Sequence, residues 1–88
     1  MLSEADKELI LTCAQEYGVT ALYLFGSASE SDQAHDIDLG VKGIAPELFF
    51  KFYGELLRKL SKPVDLVDLS SKSLFNDLVE NRGIKIYG

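Results

Sequence analysis

The run from Leu24 to Val41, LFGSASESDQAHDIDLGV, decides how the chain reads. It finishes an apolar strand, turns at Gly26-Ser27, and opens a second strand that carries Asp36 and Asp38. In a strand, residues two apart project from the same face with Cα atoms roughly 6.5–7 Å apart. Two carboxylates held that way repel each other and favour a retained proton unless a cation sits between them. Hard oxygen ligands with open positions suit Mg²⁺, which binds one or two carboxylates together with substrate phosphates. Gly26 lets a phosphate come close to the backbone, and Ser27 begins a turn whose free N–H groups point outward. A metal pair opposite an amide cradle is the equipment for attack on a nucleoside triphosphate. Asp-x-Asp alone decorates many solvated strands, and Gly-Ser alone says less still. The two together, at a strand end and on the next strand, are much less common.

Upstream, Val19 to Phe25 (VTALYLF) is a continuous apolar run of strand length, expected to be a central strand covered on both faces. Before it, Leu9, Ile10, Cys13, Ala14 and Tyr17 fall at helical spacing within a helix from Ser3 to Tyr17. Ser3 and Asp6 resemble a capping box, and Gly18 suits the position past the end. Cys13 lies on the apolar stripe, where core packing is its expected role. Ser27 to His35 is polar and reads as a turn with one turn of helix, His35 being an exposed turn residue. Ile37 to Val41 alternates, with Asp36, Asp38 and Gly40 on one face and Ile37, Leu39 and Val41 on the other.

Downstream, Pro46 fits the first position of a helix whose Phe49, Phe52, Tyr53, Leu56, Leu57 and Leu60 follow the helical period closely. Tyr53 and the nearby phenylalanines are read as core, and Lys62-Pro63 closes the helix. Val64 to Leu69 (VDLVDL) is a third strand. Asp65 alternates there with Val67 and Leu69, and an acid in an apolar strand costs free energy unless it is exposed, paired or metal-bound. Asp68 faces the other way, as a solvated residue or a turn acceptor. Ser70 or Ser71 is expected to cap a last helix that turns Leu74, Phe75, Leu78 and Val79 inward and ends at Gly83. Ile84 to Tyr87 alternates as a short edge strand. The order predicts an α/β (α+β) fold, a small mixed sheet with helices packed against it. Lys42, Lys59 and Lys62 are expected to be solvated.

The chain has 88 residues, 47% of them apolar and 26% charged, which fits one small ordered domain over 1–88 and argues against disorder. One cysteine excludes a disulfide framework and a four-cysteine zinc site. The start, MLSEADKELILTCAQ, carries acids where a signal peptide needs a basic segment, and no apolar run reaches membrane-spanning length. A cytoplasmic protein without membrane contact is expected. Nine Lys plus Arg against fourteen Asp plus Glu leave a net charge of -5, with no basic face for direct nucleic-acid binding. An anionic ligand would therefore need a metal bridge or backbone amides.

LFGS followed by DIDL and then VDLVDL resembles the minimal nucleotidyltransferases of the DNA polymerase β-like superfamily, small proteins paired with HEPN-domain partners. The closing LFNDLVENRGIKIYG is similar to the family's last helix and short strand, so the likeness runs over nearly the whole chain. The resemblance implies the polymerase β-like fold and Mg²⁺-dependent transfer of a nucleotidyl group, typically adenylyl from ATP, onto a hydroxyl. By position it implies Gly26 and Ser27 as the nucleotide-binding pair, and Asp36, Asp38 and Asp65 as catalytic residues holding two Mg²⁺ ions. Asp65 would also take the proton of the attacking hydroxyl. Two departures stand out: eight residues separate Ser27 from Asp36, fewer than the family's usual spacing, and GSASES brings Glu30 where a cation often follows Gly-Ser. The resemblance also implies a HEPN toxin as acceptor and partner, silenced by AMP transfer. The alternative is a catalytically degenerate antitoxin that neutralises its partner by binding alone. Self-association of so small a domain remains open.

Overall fold

A computed structural model describes residues 2–26 and 36–88. The turn expected over Ser27–His35, and Ser27 with it, lies outside the described residues. The elements run α1 (Glu4–Tyr17), β1 (Ala21–Phe25), β2 (Ile37–Lys42), a 3₁₀ turn (Pro46–Leu48), α2 (Phe49–Lys59), β3 (Val64–Asp68), α3 (Leu74–Arg82) and β4 (Ile84–Tyr87). The strands form one mixed sheet in the order β3-β2-β1-β4, with β2 and β3 parallel and the other pairs antiparallel.

Alternation explains the two faces. Leu22, Leu24, Ile37, Leu39, Val41, Val64 and Leu66 are buried in one cluster with Ile10, Cys13 and Ala14 of α1 and Phe52 and Leu56 of α2. Each fully buried Val, Leu, Ile or Phe among them contributes about 1.5–3 kcal/mol of apolar transfer. Ser3 caps α1, its Oγ accepting from the Asp6 N–H at 3.1 Å. The Asp6 carboxylate does not close a capping box. It is buried and accepts from both the Ser61 N–H and the Ser61 hydroxyl, tying the start of α1 to the chain after α2.

The opposite face carries α3. A Cβ on Gly40 would lie 2.6 Å from the Leu69 side chain and 3.2 Å from that of Val79, so glycine here lets α3 approach the sheet. Phe75 packs edge-on against Phe25, ring centroids 5.9 Å apart. This cover is partial, and Tyr23 and Phe25 of β1 are half-buried rather than enclosed on both faces as expected.

Several boundaries depart from the sequence reading. β1 begins at Ala21 rather than Val19, whose N–H bonds instead to the Ala14 carbonyl at the end of α1. Pro46 opens a 3₁₀ turn before α2 proper. β3 ends at Asp68, whose carboxylate accepts from the Ser70 N–H at 2.9 Å. The cap of α3 is Ser73, not Ser70 or Ser71, and its Oγ accepts from the Asn76 N–H at 3.0 Å. That shift rotates the helix. Asn76 and Val79 face the sheet, while Leu74, Phe75 and Leu78 stand 78%, 51% and 45% exposed instead of inward. Asn76 holds the inward place because its amide donates to the Ser71 carbonyl at 2.7 Å and towards that of Asp68 at 3.4 Å, so the burial is hydrogen-bonded. Among the described residues, no helix is long and apolar enough to cross a membrane.

Candidate functional site

Parallel pairing of β2 with β3 places Asp38 level with Asp65, and antiparallel pairing of β1 with β2 places Phe25 level with Asp38. Paired residues on neighbouring strands project from the same face, so the Asp38 and Asp65 carboxylates share the face opposite α1 and α2. Asp36 precedes β2 by one residue and sits two positions before Asp38. Asp36 and Asp65 are exposed, and Asp38 is half-buried between them. Burial first, then the negative charges of Asp65 and Asp36, push the Asp38 carboxyl above its ordinary value. Asp38 is thus within electrostatic reach of both Asp36 and Asp65, the other two acids expected from sequence.

Gly26 forms the wall beside Asp38. Its φ of 71° lies in the left-handed region, and a Cβ there would collide with the Asp38 carboxylate. A glycine is required on both counts, by conformation and by space. Gly26 therefore stands where the sequence places it, beside the acids.

These donors fit Mg²⁺. They are hard carboxylate oxygens on one open face, and the repulsion that raises Asp38 is what a divalent cation would relieve. Among the described residues, no three His, Cys, Asp or Glu side chains are drawn into a ready-made metal cage. Mg²⁺ asks for less than that, since it keeps several waters and takes its remaining oxygens from substrate phosphate.

One neighbour of the site escapes the periodicity argument. Tyr53 lies on the apolar stripe of α2 and is half-buried, but its hydroxyl donates to the Val64 carbonyl at 2.9 Å and lies 3.4 Å from Asp65 Oδ1. A helical period locates the ring and says nothing of where its oxygen ends, because that depends on which strand lies at the sheet edge. Two lysines named from sequence are engaged elsewhere: Lys42 pairs with Glu80 at 2.8 Å, and Lys59 with Glu55 at 3.7 Å. A groove of about 380 Å³ lined by Ala5, Glu8, Leu9, Thr12, Cys13 and Lys59 borders α1 and α2, away from the acids.

Comparison with known proteins agrees with this geometry. The family described as polymerase beta, nucleotidyltransferase, matches residues 7–88. No curated protein matches the chain. Among solved structures, a mutant form of the toxin–antitoxin MntA–HpeT aligns at 28% identity and a TM-score of 0.78, over 100% of this chain and 74% of that one. A toxin–antitoxin with AMP-PNP aligns at 27% identity and a TM-score of 0.76, over 93% of this chain and 73% of that one. A tri-AMPylated Shewanella oneidensis HEPN toxin in complex with an MNT antitoxin aligns at 26% identity and a TM-score of 0.71, over 94% and 70%.

Proposed function

The chain belongs to the polymerase β nucleotidyltransferase family, and from that premise we propose that it moves an adenylyl group from ATP, with Mg²⁺, onto a hydroxyl of a HEPN-domain toxin and so acts as its antitoxin. The observation that carries this reading is the register of β2 against β3, which sets Asp38 level with Asp65 while Asp36 raises the local negative charge. The AMP-PNP complex and the AMP-modified toxin among the similar structures support the nucleotide and the acceptor. A net charge of -5 disfavours a polyanionic acceptor such as tRNA, whereas a protein hydroxyl carries no such penalty.

In this mechanism Asp36 and Asp38 would hold the metal, and Asp65 would serve as both ligand and base. When bound, Mg²⁺ offsets the negative charge on the triphosphate and on the departing pyrophosphate. Gly26 leaves space for phosphate against the backbone, and Ser27, next in sequence, is the second member of the nucleotide-binding pair that the family resemblance implies. The acceptor hydroxyl attacks the α-phosphorus in line, forming the new O–P bond as the bond to the bridging oxygen of pyrophosphate breaks. The hydroxyl proton passes to the Asp65 carboxylate, which is exposed and so can return it to water.

The test is to incubate the protein with ATP, Mg²⁺ and the HEPN protein encoded beside it, and to weigh both chains. An AMP increment on the partner that disappears in Asp36→Ala and Asp38→Ala is the expected result. A second reading, neutralisation by binding alone, is favoured by the exposed apolar side chains Leu74, Phe75 and Leu78 on α3. A stable unmodified complex, indifferent to those two substitutions, would establish it instead.

A further inference from the structure

Tyr53 reaches the acids from the wrong side of the sheet. It belongs to α2, which packs on the core face, yet β3 is an edge strand and its outer side is unpaired by any described strand. The Pro63 carbonyl accepts from the Ile37 N–H of β2 at 2.8 Å, so the next carbonyl, that of Val64, points away from β2 towards the edge. Tyr53 takes that carbonyl at 2.9 Å. Its ring is held in turn by Phe49, edge-on with centroids 6.1 Å apart. The hydroxyl oxygen, fixed by ring and carbonyl together, then lies 3.4 Å from Asp65 Oδ1.

We propose that Tyr53 is a positioning residue for Asp65, fixing its carboxylate in one rotamer at the open edge of β3. The proposal rests on the reading of Asp65 as a metal ligand and base. Asp65 is otherwise an exposed side chain on an edge strand, free to swing between staggered rotamers. A ligand whose orientation is set in advance binds its cation without first losing that freedom, which is the usual contribution of groups that hydrogen-bond to metal ligands. The phenol has one proton, which it shares unevenly: the Val64 carbonyl takes the shorter bond and Asp65 Oδ1 the longer one. Phe49 and Phe50, on the same helix turn, have no such atom.

Two measurements on Tyr53→Phe test this. The first is on the metal-free protein: the β-proton couplings of Asp65, read by NMR, are expected to report one χ1 rotamer in the parent and averaging among rotamers in the variant. Averaging already present in the parent, or one unchanged rotamer in both, would overturn the proposal. The second is Mn²⁺ affinity in the presence of a non-hydrolysable ATP analogue. It is expected to weaken about three- to tenfold in Tyr53→Phe, the scale of one ordinary hydrogen bond. In an Asp65→Asn background the same substitution is expected to change nothing further. Equal weakening in both backgrounds would mean general disturbance of β3 and would overturn the positioning role. Absence of Mn²⁺ binding in the parent would instead refute the proposed metal site, while the NMR couplings would still decide whether Tyr53 orders Asp65.

Discussion

Replacing Asp38 by Asn should make the metal-free protein more stable. Strands in a sheet lie about 4.7–4.9 Å apart, so carboxylates level on adjacent strands are separated by about 5 Å. With an effective dielectric constant of about 40–80 near the surface, two unit charges at that distance repel by about 1–2 kcal/mol. Asp36, two residues along the chain, adds a smaller repulsion. Screening by salt roughly halves both at physiological ionic strength. About 1 kcal/mol is left, and in a domain of this size that corresponds to a rise in Tm of about 4–8 °C. Asn keeps the shape and removes the charge, so the change isolates the electrostatic effect. Circular dichroism melts at pH 7 in EDTA measure it. The pH dependence carries the same sign: the Asp38 carboxyl is raised above 3.8 by burial, Asp65 and Asp36, so the folded state holds its proton where the unfolded chain has lost it. Stability is therefore expected to fall as pH rises from about 3.8 through the raised value, with a shallower fall in Asp38→Asn. Adding Mg²⁺ should stabilise the parent and leave the variant nearly unmoved. An unchanged or lower Tm for Asp38→Asn in EDTA would refute the crowding of charge on which the site depends.

Gly26→Ala places a Cβ against the Asp38 carboxylate at a φ of 71°. It is expected to cost about 1–2 kcal/mol in chemical denaturation and to abolish the stabilisation by Mg²⁺. Cys13 is buried, and burial together with a hydrogen bond to Glu55 raises its thiol above the ordinary value of 9.0. At pH 7–8 it is therefore expected to resist a thiol-reactive dye in the native protein and to react promptly in denaturant.

Much of the sheet was legible because its signals are local. Ile37, Leu39 and Val41 alternate with Asp38 and Gly40, so period alone separates the core face from the acid face. The stripe of α2 was equally plain, and Phe52 and Leu56 are fully buried. The facing of α3 was not. An apolar stripe predicts Leu74, Phe75 and Leu78 inward, but Ser73 caps the helix and Asn76 ties the loop carbonyls, and these local bonds override the period. For the site, period two sets Asp36 and Asp38 on one face, whereas the level pairing of Asp38 with Asp65 comes from a parallel register between distant segments. The hydroxyl of Tyr53 was beyond the reach of sequence for the same reason, since its partner is defined only once β3 is the sheet edge.

The common purpose of Asp36, Asp38 and Asp65 is tested most directly by a crystal grown with Mn²⁺ and a non-hydrolysable ATP analogue, using the anomalous signal to locate the cation. The expected result is a peak bonded to Asp38 and Asp65, with the α-phosphate beside it and Gly26 against the phosphates. A nucleotide bound with manganese elsewhere, or with Asp65 turned away from the ion, would contradict the account.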